Sequence, residues 1–297
     1  MKRFNNFLLA AALLLIAPVI HTAQAAMHHL HGGSPLHAAA CHGTVIQIQN
    51  ALNAHLPPVP VLPLPGMPLA ALVAAHPVHI QHIQANRINN ATANELWTPL
   101  HCAAWQGAAD RLHALLHSPA GGFRPFVILD AQTNWHWTPL HLAARYNHHL
   151  AIIELLAAGA NPAAQTNLGT TPRALATNNF AHQAVQTLDD WTNFLAAPNP
   201  AALPPMHLAA QTNNTTAIRI LALQGIDLNQ PDPNNHNRSP LHVAVMHNAI
   251  GVATTLLNVG ANPNSVDAFG FTPLTYAAPF LAAMAPMNAL LVANGGH

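Results

Sequence analysis

The sequence predicts an all-α solenoid of about seven to eight helix-turn-helix units joined by short hairpin-like loops. Three observations predict it. Ser34-Pro35-Leu36-His37, Thr98-Pro99-Leu100-His101, Thr138-Pro139-Leu140-His141 and Ser239-Pro240-Leu241-His242 repeat one pattern, with weaker copies at Thr171-Pro172, Pro204-Pro205-Met206-His207 and Thr272-Pro273-Leu274. The starts at 138, 171, 204, 239 and 272 are 33, 33, 35 and 33 residues apart, a period that means a repeat array. Glycine and Asn-Pro recur at the end of the period, as in Gly159-Ala160-Asn161-Pro162 and Gly260-Ala261-Asn262-Pro263.

Each element follows from the chemistry of its residues. Thr or Ser supplies a hydroxyl to cap the first helix, and Pro takes the first helical position, where its missing N–H is no loss. Leu turns inward, and pairs such as Ala103-Ala104 and Ala143-Ala144 let neighbouring helices approach closely. A second helix follows, exemplified by Leu150-Ala151-Ile152-Ile153-Glu154-Leu155-Leu156, whose apolar residues recur at helical spacing. Gly159 or Gly260 then closes it in a left-handed cap. No unit of this size buries its apolar face alone, so stacking is required.

The stretch from Thr138 to Ala164 resembles an ankyrin repeat from end to end, and the chain is identified on these motifs as a member of the ankyrin-repeat family across 34–297. The units start near 34, 67, 98, 138, 171, 204, 239 and 272. The copy near 67, Met67-Pro68-Leu69-Ala70, is inferred because 34 and 98 stand 64 residues apart. The step from 98 to 138 is 40 and leaves about seven extra residues, placed within 118–126. Pro57-Pro58-Val59-Pro60-Val61-Leu62-Pro63 reads as a loop insertion between repeats, with a polyproline ligand as the alternative.

Ahead of the repeats, Lys2-Arg3, the apolar run from Phe7 to Ile16 and Ala23-Gln24-Ala25 read as a signal peptide over 1–25, cleaved before Ala26. Residues 26–33 are then a His-rich N-terminal segment. The expected location is secreted or periplasmic, with no membrane association after cleavage. Removing Lys2 and Arg3 leaves seven of the nine basic residues against nine acidic ones, about −2 with neutral histidine, so the basic face that nucleic acid requires is missing. Lys2 is the only lysine, although 28 asparagines share its codon family. A bias toward Ala, Asn, His and Pro accounts for this, and so does avoidance of ubiquitin in a host cytosol. The second account would make the protein a host-directed effector.

The family resemblance implies that partners are held on a concave surface built from the turn before Thr-Pro-Leu-His and the residues after Ala-Ala. Carried over residue by residue, this selects Asn94, Glu95, Trp97, Trp105 and Gln106 in one unit and Asn134, Trp135, Trp137, Arg145 and Tyr146 in the next. Trp97, Trp105, Asn134, Trp135, Trp137, Arg145 and Tyr146 are the partner-binding candidates, since Trp, Tyr and Arg most often anchor interfaces. Alternatively, these rings cover the 123–126 insertion. A poorer second patch comprises His236, Arg238, His247, Phe269, Phe271 and Phe280. The expected partner is a protein, bound by a monomer.

Of the 23 histidines, the resemblance makes His37, His101, His141, His207 and His242 structural, bonding to neighbouring loop backbone. His28 would become the third residue after cleavage, where amine, amides and imidazole wrap Cu(II) or Ni(II) in a plane. A periplasmic Cu(II)/Ni(II) binder is therefore the alternative function. His76, His79 and His82 lack a Cys or carboxylate partner. No cofactor is expected. Asp189-Asp190 is an acidic pair without matched partners, no nucleophile or phosphate-loop motif appears, and the chain is not read as an enzyme. Cys41 and Cys102, two repeats apart by this count and hence about 20 Å from each other at usual helix spacings, are expected as separate buried thiols.

Overall fold

Each first helix opens with the same local event. In the computed structural model, which describes residues 34–54, 96–117, 124, 127–199, 202–278 and 284–297, the residue before the proline is extended and the helix begins at the proline. Where the cap residue is Ser or Thr and the third helical residue is histidine, the two complete a reciprocal cap. The Thr98 hydroxyl and backbone N–H both meet His101 Nδ1, at 2.8 and 3.1 Å, and Ser34/His37, Thr138/His141 and Ser239/His242 repeat the arrangement. A box of this kind satisfies helix-end donors that have no partner within the helix.

Fourteen helices form seven pairs among the described residues. They are α1 (Pro35–His42) with α2 (Val45–Asn53), α3 (Pro99–Gln106) with α4 (Ala109–Leu116), α5 (Pro139–Arg145) with α6 (His149–Ala158), α7 (Pro172–Asn178) with α8 (His182–Ala196), α9 (Pro205–Gln211) with α10 (Thr215–Leu223), α11 (Pro240–Met246) with α12 (Ile250–Asn258), and α13 (Pro273–Ala277) with α14 (Ala285–Ala293). After the first helix the chain turns through a left-handed residue, namely Gly107, Asn147, Phe180, Asn213 or Asn248. At Gly107 (φ +67°) an added Cβ would lie 2.3 Å from the His148 ring, so glycine is required there twice over. Gly159 and Gly260 close second helices with φ of 101° and 102°, as the sequence predicts.

The core is one continuous spine. The alanine pairs Ala103-Ala104, Ala143-Ala144 and Ala209-Ala210 have no exposed surface, which sets the close approach of first helices. Second helices contribute Leu112, Leu115, Ile152, Leu155, Ile218, Val252 and Leu256, all fully buried. At about 25 cal/mol per Å² of apolar area buried, this shared interface is the dominant favourable term. None of the described helices is long and apolar enough to cross a membrane.

Two departures from regular stacking stand out. α1 packs directly on α3, and α2 on α4. The expected copy near 67 lies outside the described residues, and among the described residues nothing separates the unit at 34 from the unit at 98. The spacing argument for the cysteines is corrected accordingly: Cys41 and Cys102 form no disulfide and both are buried, but they lie on adjoining helices, close enough for their side chains to interact. Arg111 fastens the same junction by donating to the carbonyls of Ala40 and Cys41, at the C-terminal end of α1 where a cation is favoured.

The second departure is between the fourth and fifth pairs. α8 runs for 15 residues, and no hairpin of the kind found elsewhere forms among the described residues of 197–204. α10 consequently packs on α6 as well as on α8, and Gln224 Nε2 donates to the Ala157 carbonyl at 3.3 Å. The acidic pair is absorbed into this joint. Asp189 takes a two-pronged bond from Arg173 at 2.5 and 2.8 Å, and Asp190 accepts the Thr216 hydroxyl at 2.9 Å.

Candidate interaction surface

Between units the chain forms a hairpin whose geometry is set by one side chain. Thr133 Oγ1 accepts the amides of Trp135 and Trp137 at 3.3 and 3.1 Å, while its own N–H closes the hairpin on the Trp137 carbonyl at 3.0 Å. Thr166 does the same for Leu168 and Thr170, and Asp267 for Phe269 and Phe271. The third residue before each Thr-Pro-type start therefore projects at the hairpin tip. Trp135 is 67% exposed there, Leu168 86% and Phe269 57%.

The motif histidines lock these hairpins to the preceding unit. Nε2 of His37, His101, His141, His207 and His242 reaches the carbonyls of Trp97, Trp137, Thr170, Arg238 and Phe271 at 2.8–3.0 Å. A carbonyl can only accept, so Nε2 carries the proton and Nδ1 is left to accept, which it does from the cap residue in every case but His207. The structural role that the family resemblance implied for these five is the role they have. Burial holds the imidazoles of His101, His141, His207 and His242 below the usual histidine range, His101 at about 4.

On this scaffold the candidate partner-binding side chains converge. Trp97 and Trp105 meet edge to face with centroids 5.9 Å apart, and Trp105 meets Tyr146 of the next unit in the same way at 6.4 Å. The Arg145 guanidinium lies 5.3 Å from the Trp137 ring centre and 5.8 Å from that of Tyr146. One strip, Trp97–Trp105–Tyr146–Arg145–Trp137, thus crosses two units, with edge-to-face and cation–π geometries that favour such contacts.

The expectation that the indoles point outward needs correction in part. Trp97, Trp105 and Trp137 are half-buried and rest on the core, because each sits where a hairpin or helix end meets its neighbour. Tyr146, at 43%, and Trp135 are the exposed rings, and Asn134 is exposed beside Trp135. Asn94, Glu95, Phe280 and the metal candidate His28 lie outside the described residues, as do 57–63, the histidines at 76, 79 and 82, and the phenylalanines of the 123–126 insertion.

The second patch is more ordered than its sequence suggested, through a residue that sequence reasoning left out. Tyr276 receives Arg238 at 3.1 and 3.3 Å, donates its hydroxyl to Asp267 at 2.5 Å and lies 5.2 Å beneath the Arg238 guanidinium. His236 rests on Phe269 at 4.9 Å. Tyr276 follows Thr-Pro-Leu-Thr where the other units carry Ala38, Cys102, Leu142, Leu175, Leu208 and Val243, so an aromatic ring in place of a smaller apolar residue was the available signal.

Fold and surface together define a linear scaffold of small helical units that presents hairpin tips and first-helix ends to one face. Models for the ankyrin repeat match residues 135–167, and for three-copy ankyrin repeats 181–267 and 206–283. The chain is an ankyrin-repeat protein. It is 30% identical to the human B-cell lymphoma 3 protein over 172 residues, 57% of this chain and 37% of that protein, and 29% identical over the same length to the mouse homolog, of which 38% is covered. The chain thus spans well under half of these relatives. Among solved structures it is similar to the ankyrin repeat domain of Bcl-3 (19% identity, TM-score 0.37, 83% of this chain and 94% of that one) and to that of human ASB11 (20%, 0.36, 89% and 99%). Ankyrin repeats are, as a rule, protein–protein interaction domains.

Proposed function

We propose that this scaffold is exported by the signal segment 1–25, acts outside the cytoplasm as a monomer, and grips a protein partner with the strip from Trp97 to Trp137. The observation that carries the reading is the pairing of Arg145 with Trp137 and Tyr146, continued through Trp105 into the neighbouring unit. Preorganised aromatic and arginine side chains lose little conformational freedom on binding, which is why they dominate interface energetics. Trp135 and Tyr146 supply the exposed surface, and the half-buried Trp105, edge-on to Tyr146, holds that ring in place. With about −2 of charge over the mature sequence, recognition by long-range steering is weak and contact area must do most of the binding. A lysine-free mature chain fits delivery into a host cytosol, which makes a host protein the natural partner.

The test is recovery of partners by the wild type against Trp135→Ala/Tyr146→Ala, with both proteins shown to be equally folded. Interface anchors of this kind contribute about 2 kcal/mol or more each, so recovery should fall at least tenfold. Equal recovery would remove this face from consideration. N-terminal sequencing of exported protein should begin at Ala26, and protein retained with Met1 at its start would refute the export reading.

A further inference from the structure

A cluster of metal-ligating side chains lies between the third and fourth starts of the array, in the layer of second helices and apart from the aromatic strip. His113 and His117 stand one helical turn apart at the end of α4, and Glu154 comes across from the middle of α6. His113 Nδ1 is 3.3 Å and His117 Nε2 3.6 Å from the same oxygen, Glu154 Oε2, and one donor atom from each of the three residues lies within 4.8 Å of the others. The imidazoles are stacked, with centroids 3.9 Å apart and planes 18° from parallel. The side chains of His117 and Glu154 are only 11% and 12% exposed, whereas His113 is 50% exposed and opens the cluster to solvent.

A simple hydrogen-bonded carboxylate explains part of this and leaves part over. His113 is within hydrogen-bonding reach of Glu154, and His117 makes a longer contact of 3.6 Å with the same oxygen, so both rings are aimed at one carboxylate atom. The fold does not ask for histidine here. Superposing the units by their 40-residue offset sets His113 and His117 against Ile153 and Ala157, both buried and apolar. Donors held at about 2.0–2.2 Å from a tetrahedral zinc ion sit about 3.3–3.5 Å apart, which is close to the two distances found.

We propose that His113, His117 and Glu154 form a Zn²⁺ site that clamps the unit starting at 98 to the unit starting at 138, with water in the fourth position on the His113 side. Two imidazoles and one carboxylate are a donor set that suits a borderline divalent ion and leaves hard ions such as Mg²⁺ poorly served. A like charge stands nearby in Arg124, whose field reaches His117 and whose backbone N–H donates to the Leu116 carbonyl at 2.5 Å.

Full-length chain would be titrated with zinc sulfate by calorimetry and melted with zinc or magnesium present, as wild type, as Glu154→Gln and as His113→Ala/His117→Ala. Wild type should show one site at least tenfold tighter than either variant's tightest site, and zinc should raise its Tm by several degrees while magnesium does not. Glu154→Gln preserves shape and so tests the ligand even if the double variant folds poorly. The His-rich segments at 28–31 and 76–82 are present in every protein compared, so binding there cancels. Equal zinc affinity in wild type and Glu154→Gln, or a zinc-induced Tm rise that survives in that variant, would overturn the site. Neither result bears on partner capture by the aromatic strip.

Discussion

His101 Nε2 lies 3.0 Å from the carbonyl oxygen of Trp137, so the histidine that caps one unit also holds the hairpin that carries the next unit's indole. The ring is wholly buried, and its other nitrogen accepts from Thr98. Stability and the candidate binding face are joined at this one side chain.

His101→Ala should therefore damage both. It strands the Thr98 N–H and hydroxyl in a buried joint, takes one of its two donors from the Trp137 carbonyl and opens a cavity. Leaving buried polar groups unpaired costs about 1–3 kcal/mol each, so a loss of about 3 kcal/mol is expected in urea denaturation. An unchanged midpoint would show that the joint relaxes without it.

Acid should loosen the stack through the same residues. Burial holds folded His101 at about 4, below the ordinary 6.5, and His117 likewise, with His141, His148, His207 and His242 also lowered. Between these values the unfolded chain binds protons that the folded chain refuses, so stability is full above about pH 6.5 and declines as pH falls toward 4. His101 alone accounts for about 3 kcal/mol across that window. Denaturant midpoints measured from pH 7 to 4.5 should fall monotonically; a flat profile would contradict the buried neutral imidazoles.

Pro204 marks a defect that can be repaired. It occupies the cap position of α9, where it has neither an N–H nor a hydroxyl to offer, and His207 Nδ1 is left buried without a hydrogen-bond partner. Pro204→Ser restores both donors, and the extended backbone there already suits serine. Satisfying that nitrogen recovers about 1–3 kcal/mol, against about 0.4–1 for the lost rigidity of proline. A net gain of about 1 kcal/mol is expected by chemical denaturation, and a loss would mean that the imidazole does not reach the new cap.

The two cysteines should be slow thiols. Cys102 is held protonated well above the ordinary range, first by the Cys41 side chain beside it and then by burial. Since the thiolate is the reacting form, a disulfide-exchange reagent should label native protein only at the rate of local opening and label unfolded protein at once. Rapid labelling of both thiols in the native state would show that the first junction is open.

Much of the fold was legible in the sequence because the decisive interactions are local. A hydroxyl and a histidine three residues apart make their own cap, proline sits where no N–H is needed, and a left-handed closure selects Gly159 and Gly260. The candidate strip was half legible. Spacing marks Trp105, Arg145 and Tyr146 as following the alanine pair, but how far an indole leans into the core depends on the next unit.

By itself, then, the amino-acid order determined the unit, its period and its caps, all of which act over three or four residues. Only the tertiary structure decided which units touch: that α1 lies directly on α3 and brings Cys41 to Cys102, that α10 reaches α6, and that Glu154 meets two histidines some forty residues before it. The physical reason is that every unit offers its neighbours a similar apolar face. The pattern within one unit says that stacking must occur, while the partner at each interface is chosen by packing and loop closure over the whole chain.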